Sequence, residues 1–490
     1  RRTSAIYRAK LGKDGRTITL NGNVNYSDRT SDADSWSNQL GSLPDRPTID
    51  PETGEWNPTD YFLPRYLRNL APSSSYSLRG EFTYTEPVAK YAQVSLQYRA
   101  AYDHQERDKR SYETGSDFSI AGLLPDPTLS NAYESNYTTQ RVGPGFRYSK
   151  DRNTFVANVY YQHSVLDGQV TQGESEEIRH SYDDFTYFMM GQLMINRENS
   201  LRLFINSSTS NPDVTSLQGV YDLSDAQNIS HGNPTLNPSY SHRINFHYIN
   251  SNVEKGRTFM WMFSLQSTSD YIGTHTVQNP SFTVDGETYT PNFYSTPVNL
   301  DGYLSLRTHL SYGFPIGFLR SNFNVMAGVS YTNTPSMYGM DDGGIDPETG
   351  AISGGERNDT ENMGYDFRAV LGSNISENVD FTLSWNGTYN EATNSLSTTN
   401  SKNRYFNHTA SGDLKIVFPL GFTLTASAAY TQYLGFTNDY NDDYLLCNAY
   451  IGKKLFKNQR GEIMFGVNDI FNQNKSFVRT TGSGWTQNAT

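Results

Sequence analysis

The chain has 490 residues, of which 36% are hydrophobic and 18% charged, and its mean hydropathy is −0.65. It is too poor in apolar residues for several packed soluble domains, and its 35 Tyr and 26 Phe argue against disorder. The net charge of −12 argues against nucleic acid as a partner. A transmembrane β-barrel fits this composition, because only one face of each strand has to be apolar.

Membrane-spanning helices are excluded, since the sequence contains no run of about 18 apolar residues. The single cysteine, Cys447, excludes an internal disulfide, and its apolar neighbours predict a position in a barrel wall. The chain begins at Arg1 without an apolar signal region. We therefore expect that a signal peptide has been removed or that the start of the polypeptide is missing.

Apolar and polar residues alternate along many segments. The pattern is clearest in Thr17–Tyr26 and Asp380–Tyr389, and it recurs in Arg243–Tyr248 and Asn322–Val325. Successive side chains of a strand point to opposite faces, so each segment has one apolar and one polar face. A chain built almost wholly of such segments indicates a barrel wall.

Short and long connections alternate between these segments. Long irregular stretches such as Thr30–Ser74, Asp270–Thr296 and Thr334–Asn362 lie between tight turns, as in outer-membrane barrels with short periplasmic turns and longer extracellular loops. Nine tight turns predict about eighteen antiparallel strands of an all-β transmembrane barrel. The turns are Gly12–Gly15, Glu86–Lys90, Lys150–Asn153, Arg197–Asn199, Asn252–Gly256, Phe314–Phe318, Ser376–Asn378, Phe418–Gly421 and Lys457–Arg460.

Two other classes of protein find little support. A propeller or solenoid would repeat with a period of roughly 20–50 residues, whereas these loops vary widely in length and no blade motif recurs. Signatures of zinc hydrolases, serine hydrolases and phosphate-binding loops are absent from the sequence. His242 and His247 are predicted to face opposite sides of one strand, so we expect neither an enzyme nor a resident cofactor.

One loop could bind Ca²⁺. Asp341 and Asp342 are followed by Asp346-Pro347-Glu348-Thr349-Gly350, and clusters of carboxylates such as Asp346 and Glu348 can hold this ion. The alternative is a plain turn, because Asp-Pro-x-x-Gly is typical of type I turns.

Aromatic residues in the long loops are candidates for gripping a ligand or a partner protein. The alternative is that they pack the loops on one another. They are Trp56, Tyr61, Phe62, Tyr66, Tyr289, Phe293 and Tyr294.

Several segments together carry a family resemblance. Leu217–Asp222 and Asn228–Pro238, which contains Gly-Asn-Pro-x-Leu-x-Pro, resemble the barrel of Bacteroidetes TonB-dependent receptors. Tyr84–Pro87, Lys453–Phe456 and Val467–Asn474 are similar to further segments of that family. The central motif suggests geometry rather than chemistry, because Gly232 would permit positive φ and the prolines would stiffen the descent into a strand. Its members are Gly232, Asn233, Pro234, Leu236 and Pro238.

The resemblance implies a barrel of about 22 strands in the outer membrane of a Gram-negative bacterium, wide enough to need a plug. Residues 1–490 would then be one barrel that is incomplete at both ends, with the plug upstream of Arg1. Expected partners are membrane lipid and lipopolysaccharide, TonB if a plug is present, and a surface lipoprotein or another outer-membrane subunit. The first functional hypothesis is nutrient transport, and the alternative is a scaffold without a plug in an assembly or secretion complex.

Overall fold

A computed structural model describes residues 1–12, 14–40, 62–126, 130–170, 177–219, 221–223, 227–284, 286–340, 344–373, 375–376, 378–396, 403–434, 442–456, 460–473, 478–482 and 485–489. These residues are almost entirely β-structure, with one four-residue helix, α1 (Val214–Leu217), and two 3-10 turns. None of the helices in the described ranges is long and apolar enough to cross a membrane.

The strands follow one another along the whole chain. The first thirteen are β1 (Arg2–Lys10), β2 (Thr17–Leu40), β3 (Phe62–Ala89), β4 (Ala92–Thr114), β5 (Asn131–Lys150), β6 (Asn153–Val170), β7 (Glu177–Met194), β8 (Asn199–Ser210), β9 (Tyr221–Asp222), β10 (Asn228–His231), β11 (Ser239–Asn252), β12 (Arg257–Ser269) and β13 (Tyr271–Gln278). The others are β14 (Phe282–Val284), β15 (Glu287–Tyr289), β16 (Phe293–Leu300), β17 (Tyr303–Ile316), β18 (Ser321–Met340), β19 (Glu356–Ser373), β20 (Val379–Asn394), β21 (Asn403–Val417), β22 (Phe422–Leu434), β23 (Asp442–Leu455), β24 (Gly461–Val467), β25 (Val478–Gly482) and β26 (Trp485–Ala489).

Eighteen of these strands form the wall. In the order β1–β8, β11, β12 and β17–β24, each strand before β24 pairs antiparallel with the wall strand that follows it. The count of about eighteen strands predicted from nine tight turns is confirmed. The hydrogen-bonded sheet has 22 strands in all, because β9, β10, β13 and β16 join it from the loops. These four are therefore loop strands and not additional wall strands.

The register gives the wall two chemically different faces. Leu20, Phe82 and Tyr98 are direct cross-strand neighbours on one face, and Leu20 and Tyr98 are 47% and 42% exposed. Residues that alternate with them along each strand, such as Asn21 after Leu20, lie on the other face and are polar. Large apolar side chains left open in this way are stable only against lipid, so the apolar face points outward and the polar face lines the lumen. Cys447 pairs with Ala428 in the wall, as its apolar neighbours predict.

Several predicted loops are partly strand. The part of β2 from Thr30 to Leu40 pairs with the start of β3, within the stretch predicted as a loop. In the same way, β18 extends to Met340 and β19 begins at Glu356, both within the loop predicted for Thr334–Asn362. These extensions carry polar residues on both faces, so the alternation that marks a membrane-spanning strand is lost while the backbone pairing persists. The extended hairpins are therefore invisible to a search for amphipathic segments.

Candidate functional site

The connection between β8 and β11 folds back onto the inner face of the wall. Asp213 caps α1, since its carboxylate accepts hydrogen bonds from the Ser216 backbone N–H at 2.7 Å and the Thr215 hydroxyl at 2.9 Å. Val214 and Leu217, both buried, pack in one cluster with the wall residues Tyr133, Leu166 and Ile178. The loop is thus anchored to the lumenal side of β5–β7.

The Gly-Asn-Pro motif ties this loop to its neighbours. A Cβ on Gly232 would lie 2.0 Å from the carbonyl oxygen of Gln218, and Gly232 does not have positive φ. The expected role for its φ is therefore wrong, and close backbone packing is what requires glycine here. Asn233 accepts a hydrogen bond from the Thr235 backbone N–H at 2.9 Å and donates one to the carbonyl oxygen of Pro297 at 3.0 Å. Leu236 is buried in the same cluster as α1, while Pro234 is exposed and Pro238 half-buried.

Beyond the ends of the wall strands, three long loops fold together into a structure that we call the loop cap, formed by residues 221–223, 227–231, 271–284, 286–300 and 344–355. Strand β10 pairs in parallel with β16, and β13 pairs in parallel with β18, which joins the connections into one unit. Ile229, Phe282 and Tyr294 are buried at its centre. The Tyr294 hydroxyl donates a 2.6 Å hydrogen bond to the carbonyl oxygen of Gly350, linking the second loop to the third.

The aromatic candidates of the cap are largely used in packing. Tyr294 is completely buried, and Tyr289 packs against the same cluster with its ring 5.9 Å from that of Phe282. Phe293 is half-buried and aligned with Asn228 and Gln278 of the flanking strands. This arrangement agrees with the alternative in which aromatic residues hold the loops together.

The remaining aromatic candidates belong to the first long loop. Tyr66 makes an edge contact with Phe118, at 5.6 Å between ring centroids. Trp56 and Tyr61 lie outside the described residues, and Phe62 is described only as the first residue of β3.

The acidic loop candidate forms a turn where it is described. Asp346 accepts a 2.9 Å hydrogen bond from the Glu348 backbone N–H, and its own carbonyl accepts the N–H of Gly350 at 2.8 Å. The Glu348 hydrogen bond lowers the pKa of the Asp346 carboxyl below its ordinary value, because it stabilises the charged form. Asp341 and Asp342 lie outside the described residues. Within the described ranges, His, Cys, Asp and Glu side chains form no group of three or more that could hold a metal ion.

A pocket of about 610 Å³ lies where the anchored loop meets the inner face of β1–β6, and we call it the lumenal pocket. Its size is within the range of small-molecule sites. Residues Pro212–Val214 form one side, and three arginines from separate strands, Arg2, Arg79 and Arg99, line it. The other polar lining includes Asn23, Asn25, Asp103, Tyr133 and Tyr137. Arginine, amide and phenol groups on a rigid sheet can hydrogen-bond a polar solute from several directions.

The wall around this pocket is basic on its inner face. The inward-facing basic residues of β1–β5 are Arg2, Arg8, Lys10, Arg29, Arg79, Arg99, Arg107, Lys109, Arg141 and Arg147, and the acidic ones are Glu81, Asp103 and Glu113. These residues are not among the candidates predicted from the sequence, although the pattern that marks them is present. Arg79 follows Leu78, and Arg99 follows Tyr98, so alternation alone places both on the polar face.

Comparison with known proteins agrees with this architecture. A model of the "Outer membrane protein beta-barrel family" matches residues 9–390 and 338–490, which together take in nearly the whole chain. The chain belongs to this outer membrane protein beta-barrel family. Members of the family are outer-membrane proteins, so this barrel lies in the outer membrane of a Gram-negative bacterium, as expected. No curated protein matches its sequence.

A solved structure also supports the fold of this family member. The structure titled "Copper transporter OprC" matches with a TM-score of 0.50 and 8% identity, covering 95% of this chain and 65% of that one. The FrpB iron transporter from Neisseria meningitidis has a TM-score of 0.43 and 13% identity, with 95% and 71% covered. At these identities a likeness shows the fold alone, and it is the copper transporter structure that supports it. The chain spans about 65% of the length of that copper transporter.

Proposed function

We propose that this chain is the barrel of a TonB-dependent outer-membrane receptor that takes up a nutrient, of the type found in Bacteroidetes. The observation that carries the proposal is the lumenal pocket, in which an anchored loop and the inner face of β1–β6 enclose about 610 Å³. A pocket on the lumenal side of an outer-membrane wall would meet a solute on its way through the barrel. The Gly232–Pro238 motif and the copper transporter of similar fold give further support.

In this proposal the chain binds a solute and conducts it through the barrel, without covalent chemistry. The loop cap shapes the extracellular entrance, the lumenal pocket holds the solute, and a plug upstream of Arg1 gates the lumen when TonB moves it. A surface lipoprotein or another outer-membrane subunit would contact the extracellular loops. For Asp346 and Glu348, a turn is the favoured interpretation over a Ca²⁺ site, since a turn already accounts for the hydrogen bonds of Asp346.

Uptake can be tested without knowing the solute. Cells that carry the gene, cells that lack it and cells that lack TonB would be grown in the same complex medium, and solutes remaining in it would be compared by mass spectrometry. We expect at least one solute to be depleted only when both the gene and TonB are present. Depletion that is identical in all three strains would contradict the proposal.

The scaffold alternative is distinguished by the natural polypeptide itself. Its intact mass and N-terminal sequence would be measured on protein isolated from outer membranes. We expect a further segment of plug size before Arg1. A mature chain with only a few additional strands there would leave the lumen ungated and would favour the scaffold.

A further inference from the structure

We propose that the lumenal pocket binds a small anionic solute, one that carries carboxylate or phosphate groups. This inference rests on the proposed function and names the class of its substrate. The cationic groups come from three different strands, since Arg2 lies on β1, Arg79 on β3 and Arg99 on β4. Guanidinium groups bind carboxylates and phosphates through paired hydrogen bonds, which makes arginine the residue suited to such ligands.

The sign of the charge in this region is opposite to that of the chain. The whole protein has a net charge of −12, whereas the inner face of β1–β5 carries ten basic and three acidic side chains. A concave surface with one sign of charge focuses its field and raises the local concentration of oppositely charged solutes. The acidic excess of the protein therefore lies elsewhere, and the lumen near the pocket attracts anions.

The acidic groups nearest the pocket leave part of this positive charge unpaired. Asp103 is 3.5 Å from the Arg79 guanidinium, and Asp213 is occupied with capping α1. Glu81 is the direct cross-strand neighbour of Arg99, but the two side chains form no ion pair within 4 Å. Within the described part of the chain, Arg2 and Arg99 have no ion-pair partner within 4 Å. A bound anion would supply the missing counter-charge to these two groups.

The structure behind the pocket keeps the arginine wall in place. The guanidinium of Arg141 lies over the Tyr160 ring, 4.3 Å from its centroid, and Tyr160 donates a 2.7 Å hydrogen bond to Gln97. Gly143 leaves room for Tyr160, because a Cβ there would lie 2.8 Å from the Tyr160 Cα. Arg141 is the direct cross-strand neighbour of Arg99, so the sheet beneath the pocket is braced by a cation–π contact.

Neutral polar groups narrow the class of solute further. Asn23 and Asn25 offer amides, and Tyr133 and Tyr137 offer phenol rings beside the arginines. These groups suit an anion that also carries hydroxyl groups or a flat ring. Acids and phosphate esters of this kind share the chemistry that the pocket recognises.

The test is binding by the full-length protein, purified in detergent, at low ionic strength. Isothermal titration would use citrate as the carboxylate probe, glucose-6-phosphate as the phosphate probe and glucose as the neutral counterpart. We expect at least one anion to bind, glucose not to bind, and added NaCl to weaken the binding because salt screens exposed charges. The anion that binds more tightly identifies the preferred group.

Variants locate the binding. The double variant R79Q/R99Q should weaken binding at least tenfold, whereas D103N should strengthen it because Arg79 loses its internal partner. Arg110→Gln is the matched control, since Arg110 pairs with Asp108 at 2.6 Å on the outward side of β4. Its affinity should be unchanged, and all variants should retain the wild-type circular dichroism spectrum.

Three results would overturn the inference: no binding of either anion to the folded wild type, equal binding by R79Q/R99Q, or equal loss in R110Q. An acidic segment of the natural chain that covers the pocket would appear as protection of Arg79 and Arg99 from an arginine-specific reagent with no anion present, and this too would overturn it. None of these measurements involves TonB, so their failure is separate from failure of the uptake experiment.

Discussion

At the scale of single residues, two adjacent glycines of the loop cap show how local its constraints are. Gly354 and Gly355 both have positive φ, 98° and 91°. A Cβ on Gly354 would meet nothing within 4 Å, whereas one on Gly355 would lie 2.6 Å from Nε2 of the buried His275. At position 354, glycine is therefore required only by the positive φ of the backbone. At position 355, it is required both by the positive φ and by the close packing of His275.

Alanine at these two positions should separate the two effects. Positive φ costs a non-glycine residue about 1–2 kcal/mol, so both variants should be destabilised by about this amount. Gly355→Ala should lose about 1–3 kcal/mol more, because the new methyl group forces His275 to move. Hydrogen exchange of the β13 amides measures this difference, and equal loss of protection in both variants would contradict it.

His275 also makes the cap sensitive to pH. Burial lowers its pKa below the ordinary value near 6.5, and a backbone contact with Gly354 only partly offsets this. In the opened loop the imidazole would regain its ordinary pKa and bind a proton that the closed cap does not. The closed state is therefore unaffected above pH 6.5 and loses stability as the pH falls below it.

Titration of His275 can lower the stability of the closed cap by at most about 1.4 kcal/mol per pH unit. We expect the β13 amides to lose exchange protection between pH 7 and pH 5.5, after correction for the intrinsic exchange rate. His275→Gln should remove this component of the pH dependence. An unchanged pH profile in the variant would assign the effect to another group.

At the scale of elements, the alternation within β20 leads to a direct test of the two faces. Phe381 and Leu383 lie on the lipid face, and Thr382 between them pairs with Asp413 on the lumenal face. Leu383→Arg should cost about 2–4 kcal/mol if it lies near the bilayer midplane, because a charge would enter lipid. Thr382→Arg should be nearly neutral. Urea unfolding in lipid vesicles measures both, and similar values would contradict the assigned faces.

The sequence predicts the wall elements well and the loop elements poorly, for a physical reason. Strands such as β2 and β20 separate lipid from water, so their residues alternate, and tight turns mark where they end. Strands β10 and β16 have four and eight residues and pair in parallel with each other, Asn228 with Phe293, although they are far apart in sequence. No local pattern encodes such pairing. The arginines of the lumenal pocket were predictable as inward-facing, but their convergence depends on the register of separate strands and on the loop anchored by α1.

At the scale of the whole molecule, the protein consists of a wall held by neighbouring strands and a cap held by distant ones. Replacing residues 270–302 with a short turn would remove Phe282 and Tyr294 while leaving β12 able to pair with β17. We expect this variant to insert into vesicles as a folded barrel, because the wall pairings do not depend on the cap.

The same variant should expose the third loop of the cap. Residues 344–355 would lose the Tyr294–Gly350 hydrogen bond and the packing of Ile345 and Ile352. Limited proteolysis should then cleave this loop rapidly, whereas in the wild type we expect it to resist cleavage. Slow cleavage in both proteins would show that the loop is stable without its partners.

The parallel pairings of the cap also have a consequence for how the protein is made. Each wall hairpin can form from residues close in sequence, so the wall can grow by successive local steps. The cap cannot, because Tyr221 meets the carbonyl of Asp346 across a separation of 125 residues. Its closure has to wait until β18 and β19 are in place, so we expect it to be a late event in assembly. A closed cap would mark a barrel whose central hairpins have been inserted, and an open one would be the signature of an arrested intermediate.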